Sequence, residues 1–283
     1  MSGLDSHLEG WEPAPLTTTD ALPAEQAHAL AVVLDIEAPP AAGTALPPLW
    51  HWVYFQEWPR HEQLGPDGHP ASGHFLPPIP DRRRMFAGGR LTVTEPLRIA
   101  EPTLRRSSLS DVTVKHGRSG EVAFVTLRSE FWQDDQLRMV EEQDYAYRSG
   151  EGPAKTRRPS RPETLPHSTA AWQDSFTGDP VRLFRFSALT ANAHRIHYDS
   201  PYTREVESYP DLVVHGPLLA LLMTELARAG SGKSVSTVDY RLHRPVFAGD
   251  PVLLTGEPSD EGADLAVLTA PENTMATATV GFA

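Results

Sequence analysis

The chain contains no cysteine. Disulfides, thiolate metal sites and cysteine nucleophiles are excluded together, and the lack fits a reducing, cytoplasmic setting. No apolar run approaches the ~20 residues that a membrane-spanning helix requires, so no membrane partner is expected. Met1 to Pro15 is polar and acidic, without a basic segment leading into an apolar one, which argues against a secretory or transit leader. Basic residues are outnumbered, 25 Lys and Arg against 37 Asp and Glu, giving a formal charge of −12. That balance excludes wholesale nucleic-acid binding, which needs a basic face. Glycine-rich phosphate loops of the dinucleotide or Walker type are missing. No metal is expected: His194 and His197 stand three apart, but no carboxylate–histidine set completes a site. His69 and His74 lie in a loop without evident partners.

What remains is an ordinary globular composition, 40% hydrophobic and 22% charged, in a chain of 283 residues that can bury a core without covalent staples. The 27 prolines imply many extended segments and count against a helical bundle. Residues 1–15 look disordered. A helix is expected over Pro23 to Asp35, with Ala27, Leu30, Ala31 and Leu34 as its apolar stripe. Residues 38–48 read as a connector, and 50–90 as loops and short helical pieces. TVTEPLRI, DVTVKHG, EVAFVTLRSEFW and LRMVEEQDYAYR read as strands, with a hairpin turn at His116–Gly120. Residues 149–172, with four prolines and four basic residues, read as a linker between domains.

Beyond the linker, VRLFRFS reads as a short strand. Residues 213–229 read as a helix apolar almost all round, hence buried. Four further strands follow, in SVSTVDYRLHRPVF, DPVLLTGEP, DLAVLTA and MATATVGFA. A buried helix wrapped by a curved antiparallel sheet is the hot-dog arrangement. The first half has a similar strand run without an equally clear central helix. The expected fold is therefore α+β, a double hot-dog with an N-terminal unit over 16–148 and a catalytic unit over 173–283.

Chemistry concentrates in FSALTANAHRIHYD, Phe186 to Asp199, and in His215-Gly216-Pro217. Histidine titrates near working pH and can serve both proton steps of a hydration. Asn192, five residues before His197, can orient a water but cannot take its proton. Pro217 in a first helical turn leaves Gly216 at the helix entrance, where free N–H groups favour negative charge. A thioester carbonyl placed there would have its enolate stabilised by about 3 kcal/mol.

The segment resembles the signature of the MaoC-like (R)-specific enoyl-CoA hydratases. Thr190, Ile196, His197 and Asp199 match it. Ala191, Asn192, His194 and Arg195 stand where that pattern has Gly, Asp, Asn and Pro. With Asn192 in the aspartate's place, His197 would carry the base role alone. Asn-x-His-Arg-Ile-His-Tyr-Asp is similar to the type-2 3-hydroxyacyl-thioester dehydratases and the bacterial mesaconyl-CoA hydratases. So are Leu49–Phe55, Leu64–Pro70, Phe75–Pro78, Arg83–Gly89 and Tyr147-Arg148, and the likeness spans most of 45–283.

The resemblance implies a hydro-lyase of 2-enoyl thioesters with Asn192, His197 and Gly216 catalytic. Coenzyme A enters only as part of the substrate, with no separate cofactor. A branched C5 dicarboxylyl-CoA, mesaconyl- or itaconyl-CoA, is the favoured acyl group, and a 3-hydroxyacyl-carrier-protein dehydratase is the runner-up. His215, Tyr240, Arg241 and Arg244 are candidates for binding substrate or CoA, since guanidinium forks suit phosphate. In the run Arg82–Arg84, Arg83 or Arg84 would receive a free substrate carboxylate. Two readings from other classes stay open: a thioesterase using Glu225 on the central helix, and an acyl-thioester binding protein without activity. A homodimer is compatible with all of them.

Overall fold

Apolar and polar residues alternate from Thr237 to Arg241: Val238 and Tyr240 are buried while Thr237, Asp239 and Arg241 face out, and a register shift at Ser236 keeps Val235 buried as well. That period of two makes a strand with one face in the core. The computed structural model describes residues 3–117, 120–149 and 164–283. Their strands are β1 (Leu16–Asp20), β2 (Arg83–Val93), β3 (Thr103–Gly117), β4 (Gly120–Gln133), β5 (Gln136–Arg148), β6 (Trp172–Thr177), β7 (Val235–Leu242), β8 (Pro251–Pro258), β9 (Gly262–Ala270) and β10 (Asn273–Phe282). They form one antiparallel sheet in the order β1-β3-β4-β5-β2-β7-β10-β9-β8-β6.

This order contains a repeat. Read outward from the middle, one half runs β2-β5-β4-β3-β1 and the other β7-β10-β9-β8-β6. The two halves share a strand plan and join through β2 and β7, where Gly89 lies opposite Tyr240 and Leu91 opposite Val238. A double hot-dog fits this arrangement.

The halves differ in what lies between their first and second strands. In the C-terminal half this stretch holds α3 (Pro180–Leu189), α4 (Ser200–Glu205) and α5 (Gly216–Ser231), after α1 (Leu4–Leu8) and α2 (Ala24–Val33) in the N-terminal half. The apolar α5 packs on β6 through β10 and buries Leu218, Leu219, Leu221 and Met223. In the N-terminal half the same interval holds the shorter α2, which buries Ala27, Leu30, Ala31 and Val33, then the 3-10 turns Trp50–Val53 and His61–Gln63 and a long loop. Its LWHWVYF motif is a set of anchors. Trp50 Nε1 donates to Glu225 Oε1 on α5 (2.8 Å), Trp52 Nε1 donates to Glu141 Oε1 (2.6 Å), and His51 Nε2 meets Glu141 Oε2 (3.0 Å). The aromatic run thus fills the core of the N-terminal half beside α2.

Several expectations are corrected. VRLFRFS is helical because Asp179 caps it, accepting from Val181 N (2.8 Å) and Arg182 N (3.1 Å), with Pro180 in the first turn. Its buried residues Leu183, Phe186 and Ser187 keep helical spacing, while Val181 and Phe184 face out. The segment before Gly89, expected as loop, is β2, and TVTEPLRI supplies only its end. Strand pairing on both sides, to β5 and β7, outweighs its glycines. Residues 3–15 are not structureless: Leu4 is buried beside Ile79 and Tyr147, and its N–H donates to Glu121 Oε2 (2.7 Å). The turn residues 118–119 and most of the expected linker lie outside the described residues. No described helix is long and apolar enough to cross a membrane.

Candidate active site

The Phe186–Asp199 motif folds as a helix end followed by a tight turn. After α3, Ala191 takes a left-handed φ of 48°. Asn192 N–H then donates to Ser187 O (2.9 Å), and Asn192 Oδ1 accepts from His194 N–H (3.0 Å). The Asn192 carbonyl oxygen is therefore engaged in holding its own turn. Arg195 and Asp199 are also structural. Arg195 Nε (3.0 Å) and Nη2 (2.7 Å) both reach Asp199 Oδ2, and Asp199 Oδ1 caps α4 at Tyr202 N (3.1 Å).

His197 emerges from this frame buried. Its Nδ1 lies 2.7 Å from Val213 O. A carbonyl only accepts, so Nδ1 carries the proton and Nε2 keeps a free lone pair. Burial pushes the His197 pKa down to about 4, against the opposing pull of the Val213 carbonyl. The His215 ring stacks on it, centroids 3.6 Å apart and planes 18° apart. His215 Nε2 is tied to Ser187 Oγ (2.9 Å), and burial holds that imidazole neutral as well.

His215 directly precedes Gly216, the first residue of α5. The ring stack therefore brings the helix entrance, with its unsatisfied N–H groups, beside His197. A Cβ at Gly216 would meet Leu242 Cδ1 at 2.2 Å, so a larger residue there requires the Leu242 side chain to move.

The N-terminal half contributes a loop that the sequence did not place. Arg195 N–H donates to Asp67 O (2.9 Å), and Arg195 Nη1 to Pro66 O (3.0 Å). His69 lies on His194, centroids 4.0 Å apart, and His194 meets His197 edge to face at 5.6 Å. His69 is not partnerless, as expected, but holds Asp67 Oδ2 at 2.9 Å through Nδ1. Burial alone would raise the Asp67 carboxyl, but the His69 contacts outweigh it and hold the pKa at about 2. His194 falls to about 2 through burial and the neighbouring His69 and His197. His74 lies elsewhere, 2.6 Å from Ala14 O.

Gly68 makes this docking fit. Its φ is +90°, and a Cβ there would stand 1.9 Å from Ala193 O. Gly68→Ala should therefore displace the loop from the 192–195 turn and cost about 100-fold in turnover. The thermal transition, set by the sheet, should move little; full activity in this variant would separate the loop from the site.

The remaining candidates scatter. Tyr240 is buried in the seam, edge-on to Trp52 at 5.8 Å, and serves the core. His215 is equally buried and supports His197. Tyr240 fills the core from the inner face of β7, whereas His215 sits at the start of α5. Arg241 and Arg244 are exposed, and Arg244 Nη1 donates to Asn273 Oδ1 (2.6 Å). Glu225 is taken by Trp50 and by Arg228 Nη1 (2.7 Å), which removes the carboxylate that the thioesterase reading needs.

Within the arginine run the three roles separate. Arg82 Nη1 and Nη2 bond the carbonyls of Pro77 (3.0 Å) and Ala71 (2.7 Å), and Arg83 faces Glu207 at 3.9 Å. Arg84 lies over the Tyr145 ring at 4.4 Å. Burial would lower its pKa, but Tyr145, Tyr147 and Asp67 more than offset this, and its charge also bears on His194. Among the described residues no carboxylate lies within ion-pair distance of Arg84.

A doubled hot-dog sheet with a buried histidine beside a Gly-Pro helix entrance defines a MaoC-like hydro-lyase of acyl thioesters. The comparisons agree. The family model "Hydroxyacyl-thioester dehydratase type 2" matches residues 49–248, and the chain belongs to that family. It is 45% identical to the mesaconyl-C(4)-CoA hydratase of Chloroflexus aurantiacus over 84% of this chain and 85% of the relative. It is 28% identical to the mitochondrial hydroxyacyl-thioester dehydratase type 2 of Schizosaccharomyces pombe, over 74% and 77% of the two chains. Among solved structures, HtdX of Mycobacterium tuberculosis superposes with a TM-score of 0.68 at 16% identity, covering 95% of this chain and all (100%) of that one. A MaoC-like dehydratase from Phytophthora capsici does so with 0.67 at 12% identity, covering 100% and 99%.

Proposed function

We propose that this chain hydrates a 2-enoyl-CoA whose β-carbon carries a free carboxylate, with mesaconyl-C4-CoA as the reference compound. The observation that carries the reaction is the His197 tautomer: Nδ1–H is fixed on Val213 O, so Nε2 accepts a hydrogen bond from the attacking water. The ring stack sets Gly216 N–H beside that water, where it takes the thioester oxygen as negative charge develops. The Asn192 side-chain amide, its oxygen held by His194 N–H, keeps its N–H groups to orient the water or acyl group.

Arg84 supports the dicarboxylic substrate. In mesaconyl-C4-CoA the β-carbon bears both the methyl and the carboxylate, so the charge sits one bond from the carbon that water attacks. Arg84, close enough to His194 and Asp67 to influence both, is suited to receive it. An uncharged acyl chain would leave this half-buried guanidinium without an anion. The 45% identity to a mesaconyl-C4-CoA hydratase supports the same choice.

The test is loss of conjugated enoyl absorbance on mesaconyl-C4-CoA and on crotonyl-CoA, with free thiol monitored in parallel. Preference for the dicarboxylate without thiol release is expected; thiol release at the rate of absorbance loss would reject the reading. Arg84→Met should raise KM for mesaconyl-C4-CoA by about 10- to 100-fold, the worth of a charged hydrogen bond. It should change crotonyl-CoA kinetics little.

A further inference from the structure

The Asn192 position leaves the reaction short of a group. The water has two protons, and His197 is a buried imidazole whose hydrogen-bond partner is the Val213 carbonyl. Among the described residues no carboxylate pairs with it to stabilise the charge it would acquire. The carboxylate present in this cluster is Asp67, and its partner is His69.

Asp67, His69 and His194 bring one potential metal-ligand atom each within 4.8 Å of one another. Their orientation disfavours an ion. The His69 and His194 rings are tilted by 37° with their centroids 4.0 Å apart, the spacing of a ring contact. The Nδ1 of His69 is also engaged by Asp67. A carboxylate on Nδ1 instead fixes the tautomer of an imidazole and steadies its charged form, leaving Nε2 as a base.

We propose that His69, oriented by Asp67, carries the proton transfers of the reaction on a water that His197 Nε2 orients, and does what a carboxylate at position 192 would do. The inference rests on the hydratase reading. The attacking water donates one hydrogen bond to His197 Nε2 and the other to His69 Nε2. As its oxygen bonds to the β-carbon, the proton facing His69 moves to Nε2, and the π pair shifts to the thioester oxygen on Gly216 N–H. The enolate then collapses, and the α-carbon takes the proton from the His69 imidazolium. H and OH have been added, and both histidines return to their starting state. Asp67 is a positioning residue, acting through His69.

The test uses full-length protein and mesaconyl-C4-CoA. His69→Gln should lower kcat by about 100-fold with KM little changed. The isosteric Asp67→Asn should lower kcat too and also move the acid limb of the kcat/KM profile to lower pH. Losing the carboxylate removes the negative charge that steadies an imidazolium beside it. Other charged or titratable groups facing the pair are His194, His197, Arg84 and Tyr202, and both variants leave them in place. Wild-type-like turnover in His69→Gln would overturn the proposal, as would lower turnover in Asp67→Asn with an unmoved acid limb. Loss of wild-type activity in chelator, restored by zinc, would assign the three residues to a metal instead. If the wild type itself fails to hydrate the substrate, the parent reading falls and the variants do not bear on it. Thermal unfolding of each variant checks folding, and His69→Asn provides a second, smaller replacement should His69→Gln be unstable.

Discussion

His197→Ala is expected to lower kcat by about 10⁴-fold, because His197 Nε2 holds and orients the attacking water. The expectation follows from location. His197 Nε2 is the free face of a ring fixed at its other nitrogen by Val213 O and from below by His215. Such a ring loses no orientation when substrate binds, so its whole effect falls on the transition state and KM should change little. With the His197 pKa at about 4, the neutral form prevails at working pH, and this residue alone gives no activity change around pH 6.5. Steady-state kinetics on mesaconyl-C4-CoA supply the measurement. Unchanged turnover in His197→Ala would remove the basis of the proposed chemistry. Binding with no turnover in the wild type would instead support the non-catalytic reading.

Glu141→Ala carries the largest expected effect on stability, about 3–5 kcal/mol, the cost of breaking a buried charged pair. Glu141 is buried and accepts from Trp52 Nε1 (2.6 Å) and Gln143 Nε2 (3.1 Å), and it faces His51 Nε2 at 3.0 Å. Burial would raise its pKa, but His51, Trp52 and Gln143 together outweigh it and the net shift is downward. A lowered carboxylate contributes stability that is complete above its unfolded value of 4.5 and disappears as pH falls through the lower folded value. Wild-type stability should therefore decline in acid, and Glu141→Gln should decline less steeply over the same window. Urea unfolding across pH measures both. A loss of less than about 1 kcal/mol in Glu141→Ala would show that the pair adds little.

The sequence made the second half more legible than the first because its signals are local. The period of β7, the apolar α5 and the Gly-Pro entrance are each visible within one segment. The misreading of VRLFRFS came from weighing its valine and phenylalanines as strand formers over Asp179 and Pro180, which together start a helix. In the first half the informative contacts are long-range. Trp50 reaches Glu225, and Trp52 reaches Glu141, across 175 and 89 residues. No spacing rule shows such pairs. His69 was visible in LGPDGHP, and the Asp-x-His spacing was a usable signal. Its meaning came only when folding set it on His194, 125 positions later in the chain and 4.0 Å away in space.

The repeated strand plan with unequal insertions has a consequence for how work is divided in this molecule. Two strand sets of one plan meet at β2 and β7, yet the 16-residue α5 has only the 10-residue α2 as its counterpart. The N-terminal half fills the rest of that interval with a loop, which reaches across the seam to lie on the 192–195 turn. The halves are therefore not interchangeable: one supplies a long helix entrance, the other the loop laid beside it.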